Sequence, residues 1–446
     1  MPLTAAATPA AGPGAGGRVA SVDALRGLVI TLMIFVNDVS AVPAAPAWLK
    51  HAHGNEDKMT LPDVVFPGFL FIAGMAIPLA LERALAQGRT HGQVLRKVLA
   101  RTLALLVMGV LMVNAEEFNP WYNGLWMLLA YLAMLLAFGG VPEARGRARV
   151  GWRMASGLGW LGLAVLAVAY RAPATPESPS PYHLVLGPLF DAKETTWLHH
   201  SWWGILGLIG WAYLTAAVFY LLLHRRREWL VGAVGLLTML YVAGRADYAS
   251  RLAARGWLDG FRPVVTSLQD FYGVVGAHVS IGESLGSLAA ITMAGCCLGA
   301  VLLPSSGVTT VTDRLRWGAV FAGGLGVAAL LFDPLFGLNK IHGTPAWCLL
   351  CAALTAATWL ALSWLMDLRG WTGWSGVVRP AGANPLLAYL LHPLLYAVGD
   401  LAGVHVDFYH NPAWPLAVNI GGSLLMALLV VQATGWLAKT GYRLKV

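Results

Sequence analysis

Residues 284–303 read SLGSLAAITMAGCCLGAVLL, a run of twenty residues without a charged side chain. A transmembrane α-helix needs about 20 predominantly apolar residues to cross a hydrocarbon core of about 30 Å. The run therefore predicts a helix that spans a membrane. Its two cysteines, Cys296 and Cys297, lie inside the apolar run, so we interpret them as small core residues and not as part of a disulfide framework or a zinc site.

The same kind of run recurs along the whole chain of 446 residues. Hydrophobic residues make up 57% of the sequence and charged residues 12%, whereas soluble domains carry about 25% charged residues. This charge content cannot cover the surface of a soluble protein of this length, which excludes a soluble enzyme and a disordered chain. We predict an all-α, polytopic integral membrane bundle of eleven or twelve helices. The apolar runs lie near residues 24–42, 62–81, 98–114, 123–141, 154–170, 202–224, 229–243, 284–303, 317–337, 344–366, 383–399 and 415–438.

Charge placement predicts how the bundle is oriented. If the N-terminus is cytoplasmic and the runs alternate in direction, the cytoplasmic segments hold 21 of the 30 Lys and Arg residues but only six of the 22 acids. Lys and Arg are retained on the cytoplasmic side, so both termini are predicted to be cytoplasmic, in a bacterial type of inner membrane. Topology thus explains the basic excess, and we do not predict nucleic-acid binding.

The sequence outside the apolar runs divides into a tail and loops. Residues 1–18 are rich in Ala, Gly and Pro and lack the basic and apolar regions of a signal peptide. We expect a disordered tail followed by a membrane domain over residues 19–446. The long connections, 43–61, 171–201 and 244–283, fall on the outer side, as do ten of the twelve histidines. Because loops on a rigid scaffold often carry function, the active face is predicted to be periplasmic.

The first predicted span carries ionisable and amide side chains at both ends. Asp23 and Arg26 lie three residues apart on one helical face, and Asn37 with Asp38 follows later in the same span. Ionisable groups inside a membrane usually face a cavity or pair with one another. The first two can equally form an ion pair at the inner interface, and the other two can equally end the helix.

The loop before the second span has residues that suit acid–base chemistry. His51 and His53 precede a span that begins with Pro62 and Asp63. A histidine can act as a general base near neutral pH, and a neighbouring carboxylate can fix its tautomer. The two histidines and Glu56 lack a further ligand at a defined spacing, so no metal site is predicted. A polar loop with incidental histidines is the alternative interpretation.

Four motifs stand in the opening 75 residues: Asp23-x-x-Arg26-Gly27, Leu32-Met33-Ile34-Phe35-Val36-Asn37, Lys50-His51-Ala52 and Thr60-x-x-Asp63-x-Val65-Phe66-Pro67-x-Phe69-Leu70-Phe71-Ile72-x-Gly74. Together they resemble the heparan-α-glucosaminide N-acetyltransferase family and its bacterial relatives. Weaker matches are Ile281-Gly-Glu283-Ser-Leu-Gly286, Gly337-Leu-Asn339-Lys340 and Gly382-Ala-Asn384-Pro385-x-x-x-Tyr389. The resemblance implies a polytopic enzyme that transfers an acetyl group from acetyl-CoA to an amino sugar, and it favours a homodimer.

The resemblance also implies roles for individual residues. The family's essential histidine follows a Lys in a Lys-His-Ala stretch, which corresponds to His51, and the asparagine of the family's first helix corresponds to Asn37. The run from the histidine to the Asp63 segment is two residues longer here than in many relatives, so His53 is the alternative base. The predicted catalytic residues are therefore His51, Asn37, Asp63 and His53, with Asn37 donating a hydrogen bond to the thioester oxygen.

Other polar residues at helix ends are predicted to bind the substrates. Glu283 and His278 stand just outside the 284–303 run, and their alternative role is to anchor the helix at the interface. Lys340 is a point charge that suits a CoA phosphate. His392, inside a predicted span, is interpreted as a buried, hydrogen-bonded histidine. The predicted binding residues are Arg26, Asp38, His278, Glu283, Asn339, Lys340 and Asn384.

Taken with the resemblance, the sequence predicts a membrane acyltransferase. We expect an acetyl or other short acyl group to pass from acyl-CoA to an amine or hydroxyl of an envelope-glycan sugar on the outer side, with acetyl-CoA as co-substrate and no metal. His51 would deprotonate the acceptor or carry the acetyl group itself, and both routes stay open. The competing prediction is a transporter or flippase whose substrate path is lined by the polar residues of the first span.

Overall fold

The computed structural model describes residues 19–117, 123–141, 143–173, 195–200, 202, 204–244, 267, 270, 273–276 and 278–444. The tail predicted at residues 1–18 lies outside this part of the chain, as do most residues of the connections predicted at 171–201 and 244–283. Within it, a helix occupies each of the predicted apolar runs. The helices are α1 (Ala20–Val39), α2 (Leu61–Ala86), α3 (His91–Glu117), α4 (Asn123–Phe138), α5 (Gly146–Ala169), α6 (Ile205–Leu223), α7 (Arg227–Gly244), α8 (Leu288–Val301), α9 (Val311–Phe336), α10 (Pro345–Leu362), α11 (Arg379–Ala383), α12 (Pro385–Ala402) and α13 (Leu416–Lys439).

Short elements extend or join these helices. The π-helical turns Ile281–Ser287 and Ser363–Leu368 lead into α8 and continue α10. Single 3-10 turns cover Ala47–Leu49, Pro304–Ser306, Gly373–Val377 and Phe408–His410. In the described residues β-structure is confined to two antiparallel pairs, in which β1 (Gly139–Gly140) meets β4 (Arg443–Leu444) and β2 (Ala172–Pro173) meets β3 (Thr195–Thr196).

The predicted fold class, a polytopic helical membrane bundle, is confirmed. Ten of the described helical segments are long and apolar enough to cross a bilayer. The predicted count of eleven or twelve also includes α4, whose apolar part Gly124–Phe138 is shorter, and α7. The peripheral helices α5 and α9 expose large apolar side chains such as Leu158 and Leu330. In a bilayer these faces would contact lipid.

Three helices begin clearly earlier than their apolar runs: α3 by seven residues, α5 by eight and α9 by six. The apolar run at residues 317–337 predicts a helix from its first uncharged residue, whereas α9 begins at Val311. Thr310 is the N-cap, and its Oγ1 accepts a hydrogen bond from the Asp313 backbone N at 3.0 Å. A capped first turn can carry charged side chains, and an acid there is favourable near the positive end of the helix dipole.

The centre of the bundle is the close contact between α2 and α8. A Cβ added at Gly74 would lie 1.9 Å from the Thr292 carbonyl oxygen, and one at Gly295 would lie 1.9 Å from the Phe71 carbonyl oxygen. Only glycine allows the two backbones to approach this closely, a device common at helix contacts in membranes. The contact fixes the middle of α2 against α8.

Contacts at the two ends of the bundle agree with helices that alternate in direction. At one end, Gly139–Gly140 pairs with Arg443–Leu444, and His224 Nδ1 lies 2.9 Å from Glu82 Oε1. The charge distribution predicts all of these segments on the cytoplasmic side. We call this the inner end of the bundle, and the opposite end the outer end. Which end faces the cytoplasm stays a prediction.

Candidate active site

The start of α2 fixes a carboxylate at the outer end of the bundle. Thr60 is the N-cap, and Asp63 at the third helical position completes a capping box with it. Asp63 Oδ2 accepts hydrogen bonds from the Thr60 backbone N at 3.1 Å, the Thr60 hydroxyl at 2.7 Å and the Ala52 backbone N at 3.2 Å. Because Oδ2 accepts all three of these hydrogen bonds, Oδ1 can accept a hydrogen bond from another group.

That group is His51. Its Nδ1 lies 2.8 Å from Asp63 Oδ1, and the side chains are 43% and 1% exposed, respectively. When Nδ1–H donates to the buried carboxylate, the ring is held in one tautomer and the lone pair is on Nε2. An oriented histidine with an accessible Nε2 is the arrangement of a general base.

Lys340 adds a positive charge to the same group. Its Nζ lies 3.8 Å from Asp63 Oδ1 and 3.1 Å from His51 Nδ1. Burial lowers the pKa of Lys340 from its usual value, and the Asp63 carboxylate opposes this shift. The ammonium and the carboxylate thus both lie on the Nδ1 side of the His51 ring, and Nε2 is on the opposite side of the ring. The sequence suggested a phosphate contact for Lys340, whereas its contacts here are to the predicted base and its carboxylate.

Asn339 ties the Lys340 loop to the His51 loop. Its Nδ2 donates to the carbonyl oxygens of Gly54 at 2.7 Å and Glu56 at 3.0 Å. Buried amide groups that satisfy backbone carbonyls in this way hold two loops in fixed relation. Asn339 therefore positions the residues that contact His51.

A second carboxylate lies at the outer end of α1. Asp38 is fully buried, with 0% of its side chain exposed. His392 Nε2 and His410 Nε2 each lie 3.1 Å from it, and the hydroxyls of Tyr396 and Tyr409 both donate to it at 2.8 Å. We call these five residues the Asp38 cluster. Sequence reasoning did not find it, because its members lie up to 372 positions apart and no local motif joins them.

His51 and the Asp38 cluster border one cavity of about 780 Å³, which we call the outer cavity. Asn37 also lines it, and in the described chain its side-chain amide makes no hydrogen bond. The amide is therefore able to donate to a group that enters the cavity. The polar lining residues are Asn37, Asp38, Ser40, His51, Glu283, Lys340, Tyr389, His392 and Tyr396.

Four predicted site residues at the outer end lie outside this lining. Asp63 and Asn339 support His51 and its loop from behind the lining, whereas in the described chain His53 and His278 contact neither His51 nor the cavity. His53 is exposed, and its backbone N donates to Glu56 Oε2 at 2.9 Å. His278 precedes the π-helical turn and is not among the described residues that border the outer cavity. Of the two candidate bases, the structure thus brings His51 to the cavity and leaves His53 in the loop.

Two further predicted residues lie at the inner end. Arg26 pairs with Asp23 at 3.4 Å and donates to the Gly382 carbonyl oxygen at 3.2 Å. Asn384 precedes α12, and its Nδ2 donates to the Tyr442 carbonyl oxygen at 3.5 Å. These contacts join α1, the α11–α12 junction and the C-terminal residues, away from the outer cavity.

A second cavity, of about 1470 Å³, lies between the inner halves of α2, α3, α5 and α6. We call it the inner basic cavity, because its charged lining residues are Lys97, Arg101, Arg145, Arg149, Arg153 and one acid, Glu143. On α3, Ala104 borders the inner basic cavity and Gly109 borders the outer cavity. Five residues of helix, about 7.5 Å, separate the two levels.

Known proteins resemble part of this chain. A family model described as a domain of unknown function (DUF5009) matches residues 18–138. Heparan-alpha-glucosaminide N-acetyltransferase from Mus musculus is 35% identical over 114 residues, which is 25% of this chain and 16% of the mouse protein. The Homo sapiens protein of the same name is 37% identical over 98 residues, 22% of this chain and 14% of the human protein. The chain is distantly related to these acetyltransferases. The matched segments cover less than a fifth of each relative's length.

The arrangement in the outer cavity can perform acid–base chemistry on a bound substrate. It combines an oriented histidine at His51, an amide donor at Asn37 and a buried hydrogen-bonded carboxylate at Asp38. In acyl transfer, a base of this kind accepts the proton of the nucleophile, and an amide donor stabilises the oxyanion that forms. No group of three or more metal-binding side chains occurs in the described residues.

Proposed function

We propose that this protein is a membrane acyltransferase that moves an acetyl or other short acyl group from acyl-CoA to the amine or hydroxyl of a sugar. The observation that carries the proposal is that His51 is oriented by the buried Asp63 and borders the outer cavity. The distant relationship to N-acetyltransferases supports the same reaction class. In this proposal the acyltransferase domain comprises residues 19–446.

The acceptor would bind in the outer cavity next to His51. Nε2 would take a proton from the acceptor as it attacks the thioester carbonyl, or would itself carry the acetyl group between donor and acceptor. Asn37 would donate a hydrogen bond to the developing oxyanion, a contact whose loss typically costs about 10²–10³-fold in kcat. Glu283, which also lines the cavity, is available to bind polar groups of the sugar.

The donor would reach the outer cavity from the inner side. Guanidinium groups bind phosphates in a bidentate manner, so Arg101, Arg149 and the other bases of the inner basic cavity suit the phosphates of CoA. The thioester end would cross the short partition between Ala104 and Gly109 on α3. We assign phosphate binding to this cavity, and base positioning to Lys340.

The charge distribution supports a location in a bacterial inner membrane with the outer cavity on the periplasmic side. Acyl-CoA would then come from the cytoplasm, and the acceptor would be an envelope glycan that carries amine or hydroxyl groups. The family resemblance favours a homodimer of this chain.

The test is direct. Purified protein is incubated with acetyl-CoA and a panel of amino sugars, and free CoA thiol and acetylated sugar are both measured. Wild-type protein should release CoA in step with acetylated sugar, and His51→Ala should release neither. The proposal fails if no acceptor in a broad panel is acetylated by a folded protein that binds acetyl-CoA.

A transporter is the second candidate, because two cavities approach one another from opposite ends of the same helices. Polar residues inside a membrane bundle commonly mark a substrate path. Uptake of a labelled sugar into proteoliposomes without acyl-CoA would favour this function. Uptake that requires acetyl-CoA and yields acetylated sugar would favour the transferase.

A further inference from the structure

The outer cavity is lined by two histidines that contact different carboxylates. His51 contacts Asp63, and His392 contacts Asp38. The charged groups around the two carboxylates differ, and this difference suits the two histidines to different roles in proton transfer.

At Asp63 the negative charge is already balanced. Lys340 Nζ lies 3.8 Å from the carboxylate and 3.1 Å from the His51 ring. Carboxylate and ammonium together are neutral, and a protonated His51 would lie directly beside the ammonium. The position of Lys340 beside the ring therefore suits a histidine that serves as a base.

At Asp38 the negative charge has no such partner. In the described chain, neither Lys nor Arg contacts this fully buried carboxylate. Two imidazoles and two tyrosine hydroxyls are its hydrogen-bond partners, and a proton held on either imidazole would offset its charge. The titratable and polar groups that face it are, by element, Asn37 from α1, His392 and Tyr396 from α12, Tyr409 and His410 from the α12–α13 connection, and Ser423 from α13.

Of the two imidazoles, His392 is the one that can pass a proton into the outer cavity. His410 Nδ1 is buried and has no hydrogen-bond partner in the described chain. A protonated His410 would therefore bury a charged N–H without an acceptor, which is costly. His392 is 14% exposed and lines the outer cavity, so its second N–H can reach water or a substrate.

We propose that His392, oriented by its contact with Asp38, is the general acid that protonates the CoA sulfur as the thioester breaks. The inference rests on the acyl transfer proposed above. It identifies the source of the proton that the leaving CoA sulfur receives. The acceptor N–H or O–H gives its proton to His51 Nε2, and the acceptor atom bonds to the carbonyl carbon. The C–S bond breaks, and sulfur takes the Nδ1 proton of His392. One proton then returns from His51 to His392 through water in the cavity, so the cycle consumes none.

The test is the pH dependence of kcat/KM for acetyl-CoA, measured with His392→Gln, Asp38→Asn and the matched control His410→Gln, which removes a ring from the same carboxylate. In wild type, activity should fall at low pH as His51 gains a proton and at high pH as His392 loses one. His392→Gln should lose about 100-fold or more in rate and should no longer show the high-pH fall. Asp38→Asn should move the high-pH fall in kcat/KM to lower pH, whereas His410→Gln should leave this fall at the wild-type pH.

The outcomes separate this inference from the proposed function. A His392→Gln protein that keeps the high-pH fall, or that retains activity within tenfold of wild type, overturns the acid role while the acyltransferase stands. A wild-type protein that transfers no acyl group overturns both. The elution volume and melting temperature of each variant establish that it is folded, and if His392→Gln is not folded, Asp38→Asn decides by the position of its high-pH fall.

Discussion

Replacing His51 by alanine removes the predicted base and leaves most of its surroundings in place. Asp63 keeps the three hydrogen bonds that its Oδ2 accepts at the start of α2, and it keeps Lys340 at 3.8 Å. His51 itself is 43% exposed, so its removal opens no buried cavity. We expect a folded protein whose affinity for acetyl-CoA is close to that of wild type.

The expected loss of rate follows from the role of the base. A positioned general base contributes about 10²–10⁴-fold, which is about 2.7–5.4 kcal/mol in barrier height. His53 is the matched control, two residues along the same loop, exposed and outside the cavity lining. His53→Ala should cost less than about tenfold, or about 1.4 kcal/mol.

The assay compares kcat/KM for CoA release in wild type, His51→Ala and His53→Ala, with acetyl-CoA affinity and melting temperature measured in parallel. An inactive His53→Ala protein beside an active His51→Ala protein would show that the loop register assigned here is wrong by two residues. Full activity in both variants would exclude a histidine base in this loop and would favour the transporter function.

Three further predictions test the donor site, the packing and the orientation. Arg149→Glu should raise the KM for acetyl-CoA about tenfold or more, because a hydrogen bond to a charged group is worth about 1.5–3 kcal/mol; an unchanged KM would remove Arg149 from the phosphate site. Gly74→Ala should destabilise the protein by about 1–3 kcal/mol or more, since its methyl group would lie 1.9 Å from a backbone oxygen of α8, whereas Gly157→Ala meets nothing within 4 Å and should leave the melting temperature unchanged. A cysteine at Lys58 should react with an impermeant thiol reagent added to cells, and one at Arg226 should not. The background should be low because the native cysteines are buried. The reverse labelling pattern would invert the predicted topology.

Local sequence was enough to predict the features that depend on neighbouring residues. The apolar runs specify the helices, because each must satisfy its own backbone hydrogen bonds in lipid. The pair of His51 and Asp63 lies within twelve positions, and the Thr60 capping box is visible as a motif. These contacts need only the start of one helix and the loop before it.

The rest of the site depends on long-range packing. Asp38 meets His392 and His410 across 354 and 372 positions, and Lys340 meets His51 across 289. No spacing rule relates such residues, so the Asp38 cluster was missed and Lys340 was given a phosphate role.

Arg26 is among the binding residues predicted from the sequence, together with Asp38, which follows Asn37 at the other end of α1. The helix geometry explains why the two do not meet. Eleven residues separate Arg26 from Asn37, which is about 16 Å of helix. The two residues therefore lie near opposite ends of the span, and the helical rise alone could have separated them.

The capping box at the start of α2 links catalysis to local unfolding. The carboxylate that closes the first turn is also the one that orients His51. Whenever that turn frays, Asp63 loses its geometry and the base loses its tautomer, although the remainder of the bundle stays intact. An N-cap side chain is worth about 0.5–2 kcal/mol, so loss of the Thr60 hydroxyl would shift many molecules towards the frayed form. Activity would then decline with temperature well before the bundle melts. The temperature of this decline would depend on Thr60, a residue that contacts no substrate.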